Sequence, residues 1–267
     1  MKILTVPLTL LLTVPTSWAF QSRPTLDCNN DHGNSDRGHF CEMREQTVSA
    51  AGMISVDGSQ NGGISVKGWD RSDVLVRAQV RGEAPTDDQA KDVVRQVIVS
   101  TGGQVRATGP AHDRDRSWSV SYEIFVPTRF SVNLATVNGG LSISDVNGNL
   151  EFKTVNGGLN LRRVGGYVHG QTTNGGVNVE LAGDRWDGQG LDVATTNGGV
   201  NLRIPRNYSA QFETETHNGR IRAVDMPEVQ TQSPTGHAAT HVSTALGAGG
   251  AMLKITTTNG GVNLSRI

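Results

Sequence analysis

Residues 172–179 read TTNGGVNV, and the phrase returns as TTNGGVNL at 195–202 and again at 257–264. Looser copies, TVNGGLSI and TVNGGLNL, stand at 136–143 and 154–161. A phrase written this often either does chemistry or builds a shape, and its columns decide which. The corner Asn falls at Asn138, Asn156, Asn174, Asn197, Asn218 and Asn259, with an earlier copy, NGGISV, at Asn61. Two residues before the six stand Thr136, Thr154, Thr172, Thr195, Thr216 and Thr257. Six before come Val132, Leu150, Val168, Leu191, Phe212 and Leu253, and three after come Leu141, Leu159, Val177, Val200, Ile221 and Val262. Polar residues alternate with these, so each copy predicts strand, Gly corner, strand, with period-2 burial on both arms.

Two architectures fit. Asn-Gly is a strong hairpin signal, so an antiparallel meander or sandwich is one. Its apolar face would need a second layer, and the chain offers one helical segment. A solenoid covers itself and stacks like residues on like, which makes sense of repeated Thr and Asn. The sequence therefore predicts an all-β, mostly parallel β-solenoid with Asn-Gly-Gly corners. Its coil is right-handed because parallel crossovers are so in about 98% of cases. Gly is expected to supply positive φ at the corner and Asn to tolerate the left-handed region. The Thr hydroxyl is expected to turn toward a corner amide. Successive corners lie 18, 18, 23, 21 and 41 residues apart, so one copy is expected to have lost its signature in 225–250.

The helix is predicted near 87–97. Thr86 caps it with Gln89 three residues on, Asp87 and Asp88 occupy the first turn, and Ala90, Val93, Val94 and Val97 share one face.

The segment 1–19 has one early charge, Lys2, an apolar run from Ile3 to Leu12, and small residues at Ser17 and Ala19. It reads as a secretory signal. The mature chain is then exported, to the periplasm or the cell surface, with no membrane span. Cys28 and Cys41 are the only cysteines and predict one disulfide tying an N-terminal segment, 20–46. Their loop also holds His32, His39, Asp31 and Asp36, but the spacing matches no zinc pattern. The repeat domain follows over 47–267, most regular over 131–267. The net charge of −1 supplies no basic excess for phosphates, so nucleic acid is not an expected partner.

The stretches NGGISVKGWD, WSVSYEIFVP, TVNGGLSI, GDRWDGQGLDVATTNGGVNL, IPRNYSAQFET and the closing TTNGGVNL together resemble the bacterial "putative adhesin" family, exported β-strand-repeat domains of unknown function. The resemblance runs from about Gln46 to the end and is similar in style to auto-transporter adhesin heads. It implies an exported β-helical protein and carries no catalytic residues with it.

A search for chemistry gives little. One outward column reads Asn133, Glu151, His169, Asp192, Glu213, Lys254. Carboxylates with imidazole can bind a divalent ion, but Lys153 and Arg162 nearby read as a mixed-charge solvated face. The histidines at 112, 217, 237 and 241 are scattered. Trp69, Trp118 and Trp186 are packing residues first and sugar platforms second, with Trp186 expected to protrude from the longer coil at AGDRWDGQG. There is no Gly-rich loop opening a helix, no GxSxG and no HExxH, so no catalytic residue, metal or cofactor is expected. The reading is a non-enzymatic structural or adhesive surface toward an envelope protein or polysaccharide. The alternative is a carbohydrate-binding or carbohydrate-cleaving β-helix. N-terminal sequencing of exported protein should begin at or within a few residues of Phe20, whereas material retaining Met1 contradicts the export signal.

Overall fold

The computed structural model describes residues 25–29, 36–232 and 238–267. The expected signal segment, Phe20, Asp31, His32 and His237 lie outside the described residues. Strands β1 (Gly38–Ser49), β2 (Met53–Asp57), β3 (Ile64–Trp69) and β4 (Asp73–Ala84) precede helix α1 (Asp87–Gln96). Strands β5 (Ile98–Ser100), β6 (Gln104–Thr108) and β7 (Ser117–Pro127) follow. The repeats then alternate as β8 (Ser131–Asn138) with β9 (Leu141–Ser144), and β10 (Asn147–Asn156) with β11 (Leu159–Arg162). Next come β12 (Gly165–Asn174) with β13 (Val177–Glu180), β14 (Gly190–Asn197) with β15 (Val200–Ile204), and β16 (Ala210–Asn218) with β17 (Ile221–Val224). A single strand, β18 (His241–Leu246), precedes β19 (Met252–Asn259) and β20 (Val262–Arg266).

These form two ten-stranded mixed sheets, β1-β4-β7-β3-β9-β11-β13-β15-β20-β17 and β18-β16-β19-β14-β12-β10-β8-β2-β6-β5. Each strand–corner–strand unit gives one strand to each sheet. Within the repeats the pairing is parallel and in register, with Leu150 opposite both Val132 and Val168, and Leu159 opposite both Leu141 and Val177. The antiparallel arrangement entertained for the repeats is therefore not the one built. Antiparallel pairs lie toward the ends, in β1–β4–β7, β5–β6 and β16–β18. The apolar columns, including Leu134, Leu141, Leu150, Leu159, Val200 and Leu253, are buried between the sheets. One gap in a column is filled by its neighbour: a Cβ on Gly170 would stand 1.8 Å from the Phe152 ring.

The corners correct three expectations. First, no Asn-Gly-Gly corner residue has a positive φ; that conformation falls instead at Ser59, Asp145, Arg163 and Asp225 and at other glycines. The first corner glycine is required by proximity. A Cβ on Gly198 would sit 2.1 Å from Gly175 O, and one on Gly139 2.1 Å from Gly62 O. Second, the Thr hydroxyls reach across to the neighbouring unit. Thr154 Oγ1 donates to Gly139 O at 2.9 Å, Thr172 to Gly157 O at 2.8 Å and Thr195 to Gly175 O at 2.8 Å. These Thr side chains are buried, and β-branching suits them to the strand while the hydroxyl satisfies a corner carbonyl. Third, the last unit does not follow a degraded copy. β19 and β20 insert between the β14/β15 and β16/β17 units, so Asn259 lies between Asn197 and Asn218. The span 225–250 instead contributes β18, antiparallel on β16.

The Asn side chains form one amide ladder. Asn138 Nδ2 donates to Asn61 Oδ1 at 3.1 Å, Asn156 to Asn138 at 2.7 Å, Asn174 to Asn156 at 2.8 Å and Asn197 to Asn174 at 2.8 Å. Asn259 continues onto Asn197 and Asn218 onto Asn259, each at 2.7 Å.

Helix α1 forms where the capping box placed it. Thr86 accepts from Gln89 N at 3.4 Å, and Ala90, Val93 and Val94 are buried. The Cys28–Cys41 disulfide is present and ties residues 25–28 to β1, which runs along β4 through its whole length.

The two corner glycines should separate in a urea titration. Gly198→Ala meets a backbone carbonyl and is expected to cost at least the upper part of the about 1–3 kcal/mol typical of overpacking. A Cβ on Gly199 meets only Gly261 O at 3.6 Å. Gly199→Ala should thus be neutral or stabilising by up to about 1 kcal/mol. Equal losses from both would contradict the close-approach account.

Candidate functional site

Three clusters of polar side chains stand out from the ladder. The first is the outward column of the β8-containing sheet. Stacking places Glu151 opposite His169, His169 opposite Asp192, Asp192 opposite Lys254, and Lys254 opposite Glu213. His169 Nδ1 lies 3.7 Å from Asp192 Oδ2, and Lys254 Nζ 3.0 Å from Glu213 Oε1. Glu213 beside it raises the Lys254 ammonium. Lys254 thus stands between two carboxylates, Asp192 and Glu213. Among the described residues no group of three His, Cys, Asp or Glu is arranged to hold a metal ion.

The second cluster surrounds Glu123, which points outward from β7 but is covered, with its side chain 1% exposed. Lys67 Nζ donates to Oε1 at 2.7 Å, and Thr25 N and Oγ1 donate to it at 2.9 and 2.8 Å. Arg77 donates to Oε2 and also pairs with Glu45 at 2.7 Å. Burial alone would push the Glu123 carboxyl up. Hydrogen bonds from Lys67, Thr25 and Arg77 outweigh it and hold the group below its ordinary value. Every oxygen is taken by fixed donors, so the cluster anchors the N-terminal segment and leaves no base free for catalysis.

The third is a cleft of about 680 Å³ beside the second corners, where one unit passes into the next. Two of these corners turn on non-glycine residues in the left-handed region, Asp145 at φ 60° and Arg163 at φ 50°. Their side chains close on each other: Arg163 Nε and Nη2 donate to the two Asp145 oxygens at 2.6 and 2.8 Å. That bidentate pair raises the guanidinium of Arg163 further. The far wall is the connection from β13 to β14, residues 181–189, where the two preceding connections, 145–146 and 163–164, have two residues each.

Trp186 in that connection does not protrude. It is 6% exposed, and its Nε1 donates to Gly166 O at 2.9 Å. Turned inward, it holds the loop to the stack. Gly166 N donates to Asp187 O at 2.7 Å, Asn147 Nδ2 to Asp187 Oδ2 at 2.7 Å, and Ser209 N to Asp184 O at 2.8 Å. Asp184 and Arg185 remain mostly exposed on the rim, and Arg129 is exposed on the opposite side. Tyr208 is buried beneath, and burial pushes its phenol up, with Asp184 adding to the effect. The arrangement offers a shaped, mixed-charge surface on a fixed loop. Asp145 and Asp187 are engaged by Arg163 and Asn147, while the mostly exposed Asp184 lies 3.3 Å from Arg185.

The sequence pointed to some of this and missed more. Its outward column is brought together as a ladder. Trp69, also singled out, lies 5.4 Å from Phe125 and under Arg71 at 4.5 Å, as packing. His217 and His241 join no cluster beyond His241 Nε2 at 3.9 Å from Glu213. The cleft was signalled only by the extra length around Trp186, and the Glu123 cluster only by a Glu among apolar residues in WSVSYEIFVP.

No helix of the described residues is long and apolar enough to cross a membrane. No family model matches the chain, and no curated protein sequence matches it. Solved structures similar to it include a "putative cell adhesion protein" from Clostridium sporogenes, 9% identical with a TM-score of 0.45, covering 85% of this chain and 100% of that one. A "putative adhesin" from Bacteroides fragilis is 10% identical with a TM-score of 0.37 over 85% of this chain and 97% of its own. A "putative lipid binding protein" from Parabacteroides distasonis is 11% identical with a TM-score of 0.31, over 84% and 96%.

The Glu123 cluster makes a pH prediction. Its folded pKa lies below its ordinary value of 4.5, so the unfolded chain takes up the proton first on acidification. The stability it contributes is complete above that value and is lost as pH falls through the folded pKa. Glu123→Gln should unfold at lower urea at neutral pH, with the gap to wild type closing as pH falls below 4.5. A gap independent of pH would contradict an ionised Glu123.

Proposed function

We propose that the chain is a non-enzymatic interaction protein of the cell envelope, exported through a signal peptide at 1–19 to the periplasm or the cell surface, with an adhesive role. On this reading 20–46 is a disulfide-tied segment and 47–267 the working domain, its repeats wound as a right-handed β-solenoid. The disulfide supports export, because such bonds persist in oxidising compartments.

The observation that carries the proposal is the inserted connection around Trp186. After two connections of two residues each, the stack departs from that pattern here, and the departure is held to the core by Trp186 and Asp187 while its rim charges face solvent. Contact residues on a loop fixed by a rigid scaffold are the usual arrangement of a recognition surface. Arg129, Arg185 and Asp184 are the rim groups in this role, and the partner is an envelope protein or polysaccharide.

Arg129→Glu with Arg185→Glu tests it, since neither side chain supports the fold. Binding of the purified mature protein to an envelope fraction should be saturable, and the double variant should weaken it at least tenfold with little change in Tm. No saturable binding by wild type, or equal binding by both proteins, would reject the cleft as the contact site.

A further inference from the structure

The two sheets turn differently charged faces to solvent. From β9 to β17 the outward positions of one sheet carry the guanidiniums of Arg162, Arg203 and Arg222 and a single carboxylate, Glu180. From β8 to β16 the outward positions of the other carry Glu151, Asp192, Glu213 and Glu215 against Lys153 and Lys254. The first face is therefore net positive and the second net negative, in a chain whose total charge is −1.

Glu180 is shared among its neighbours. Parallel register places it between Arg162 and Arg203. Arg203 Nη1 lies 3.2 Å from Glu180 Oε2, while Arg162 Nη2 and Arg163 Nη1 each lie 3.7 Å from Oε1. Arg163 is already held by Asp145. Arg162 and Arg203 are thus left with one counter-ion between them, and their side chains are 50% and 58% exposed. Each guanidinium has five N–H donors, so most of theirs face solvent.

A second amide ladder runs beside these arginines. Asn201 Nδ2 donates to Asn178 Oδ1 at 2.9 Å, and Asn263 Nδ2 to Asn201 Oδ1 at 3.1 Å. Every Asn amide keeps a second N–H, and these side chains are exposed. Arg222 continues the same column, opposite Asn263.

The arrangement selects its ligand. Arg162 and Arg203 stand two strands apart, about 9.5 Å. An isolated anion meets one of them, whereas a chain with spaced charges meets both. Guanidiniums pair planar carboxylates through a fork of N–H groups, and amides pair hydroxyls. No aromatic side chain occupies the outward positions from β9 to β17, so the face offers single-stranded nucleic acid no base-stacking platform.

We propose that this face binds an extended acidic polysaccharide. Its uronate carboxylates pair with Arg162 and Arg203, in competition with Glu180, and its hydroxyls meet Asn160, Asn178 and Asn201. The face is separate from the rim groups Arg129 and Arg185, so either proposal can fail alone.

The test is calorimetric titration of the mature protein with oligogalacturonate at low salt, with neutral dextran oligomers as the control. Oligogalacturonate should bind saturably and more weakly as salt is added, and dextran should not bind. Arg162→Ser with Arg203→Ser should weaken the complex about tenfold or more with little change in Tm, since both side chains are half-exposed. Glu180→Gln should strengthen it, because both guanidiniums lose their competing carboxylate. Lys153→Glu makes the same change in net charge on the opposite sheet and should leave binding unchanged. The Arg129→Glu, Arg185→Glu variant should retain it. No binding by wild type, a weaker complex with Glu180→Gln, or equal losses from the arginine pair and Lys153→Glu would overturn the proposal. So would loss confined to the Arg129→Glu, Arg185→Glu variant, or tighter binding of single-stranded DNA of equal charge.

Discussion

The carbonyl oxygen of each first corner glycine stands where the next unit's corner would otherwise carry a β-carbon. This close approach sets the rest of the structure. A Cβ at Gly175, Gly198 or Gly260 would stand only 2.1 Å from the neighbouring corner's oxygen, so the corners nest without side chains and the flanking strands pair in register. The same carbonyl accepts the buried Thr hydroxyl of the adjoining unit, so a group that would be expensive in the interior becomes a link between units. In-register pairing then brings Asn onto Asn outside and Leu or Val onto their like inside. The amide ladder and the core columns are two consequences of one contact.

A parallel stack leaves open strand edges at both ends, which invite pairing with other chains. This chain closes three of its four sheet edges with antiparallel elements, β17 being the parallel one. At one end β4 and β1 follow β7, with α1 against them and the 25–28 segment stapled by the disulfide and the Glu123 cluster. At the other, β18 lies antiparallel on β16. The regular repeats stack through one contact, and the irregular additions, the Trp186 connection among them, depart from it.

Much of the frame was legible because the ladder residues repeat. The apolar columns, the Thr before each Asn and the capping box at Thr86 each report a single local physical demand. The unit order was not legible, and for the same reason. Asn197 stacks equally well on any Asn-Gly-Gly corner, so identical phrases cannot say that Asn259 is its neighbour. That order depends on the path of 225–250, whose sequence carries no ladder. The role of glycine was misassigned because sequence alone does not distinguish a positive φ from a lack of room. The left-handed turns went unseen because Arg163 carries no turn signal and Asp145, which tolerates that region, has no adjoining Gly or Pro. Trp186 reads as exposed from loop length alone; only the nearness of Gly166 O turns it inward.

The claim most open to direct refutation is that stacking by corner contact, and not chain order, decides which units are neighbours. Interstrand NOEs in the isotope-labelled mature protein measure this. Val200 N donates to Gly261 O at 2.9 Å and Val262 N to Arg220 O at 2.9 Å. The account predicts NOEs from the Val200 amide to Gly261 and Val262, and from the Val262 amide to Arg220 and Ile221, with none between Val200 and Ile221. Direct Val200–Ile221 contacts, with Val262 beyond Ile221 at the edge, would contradict it.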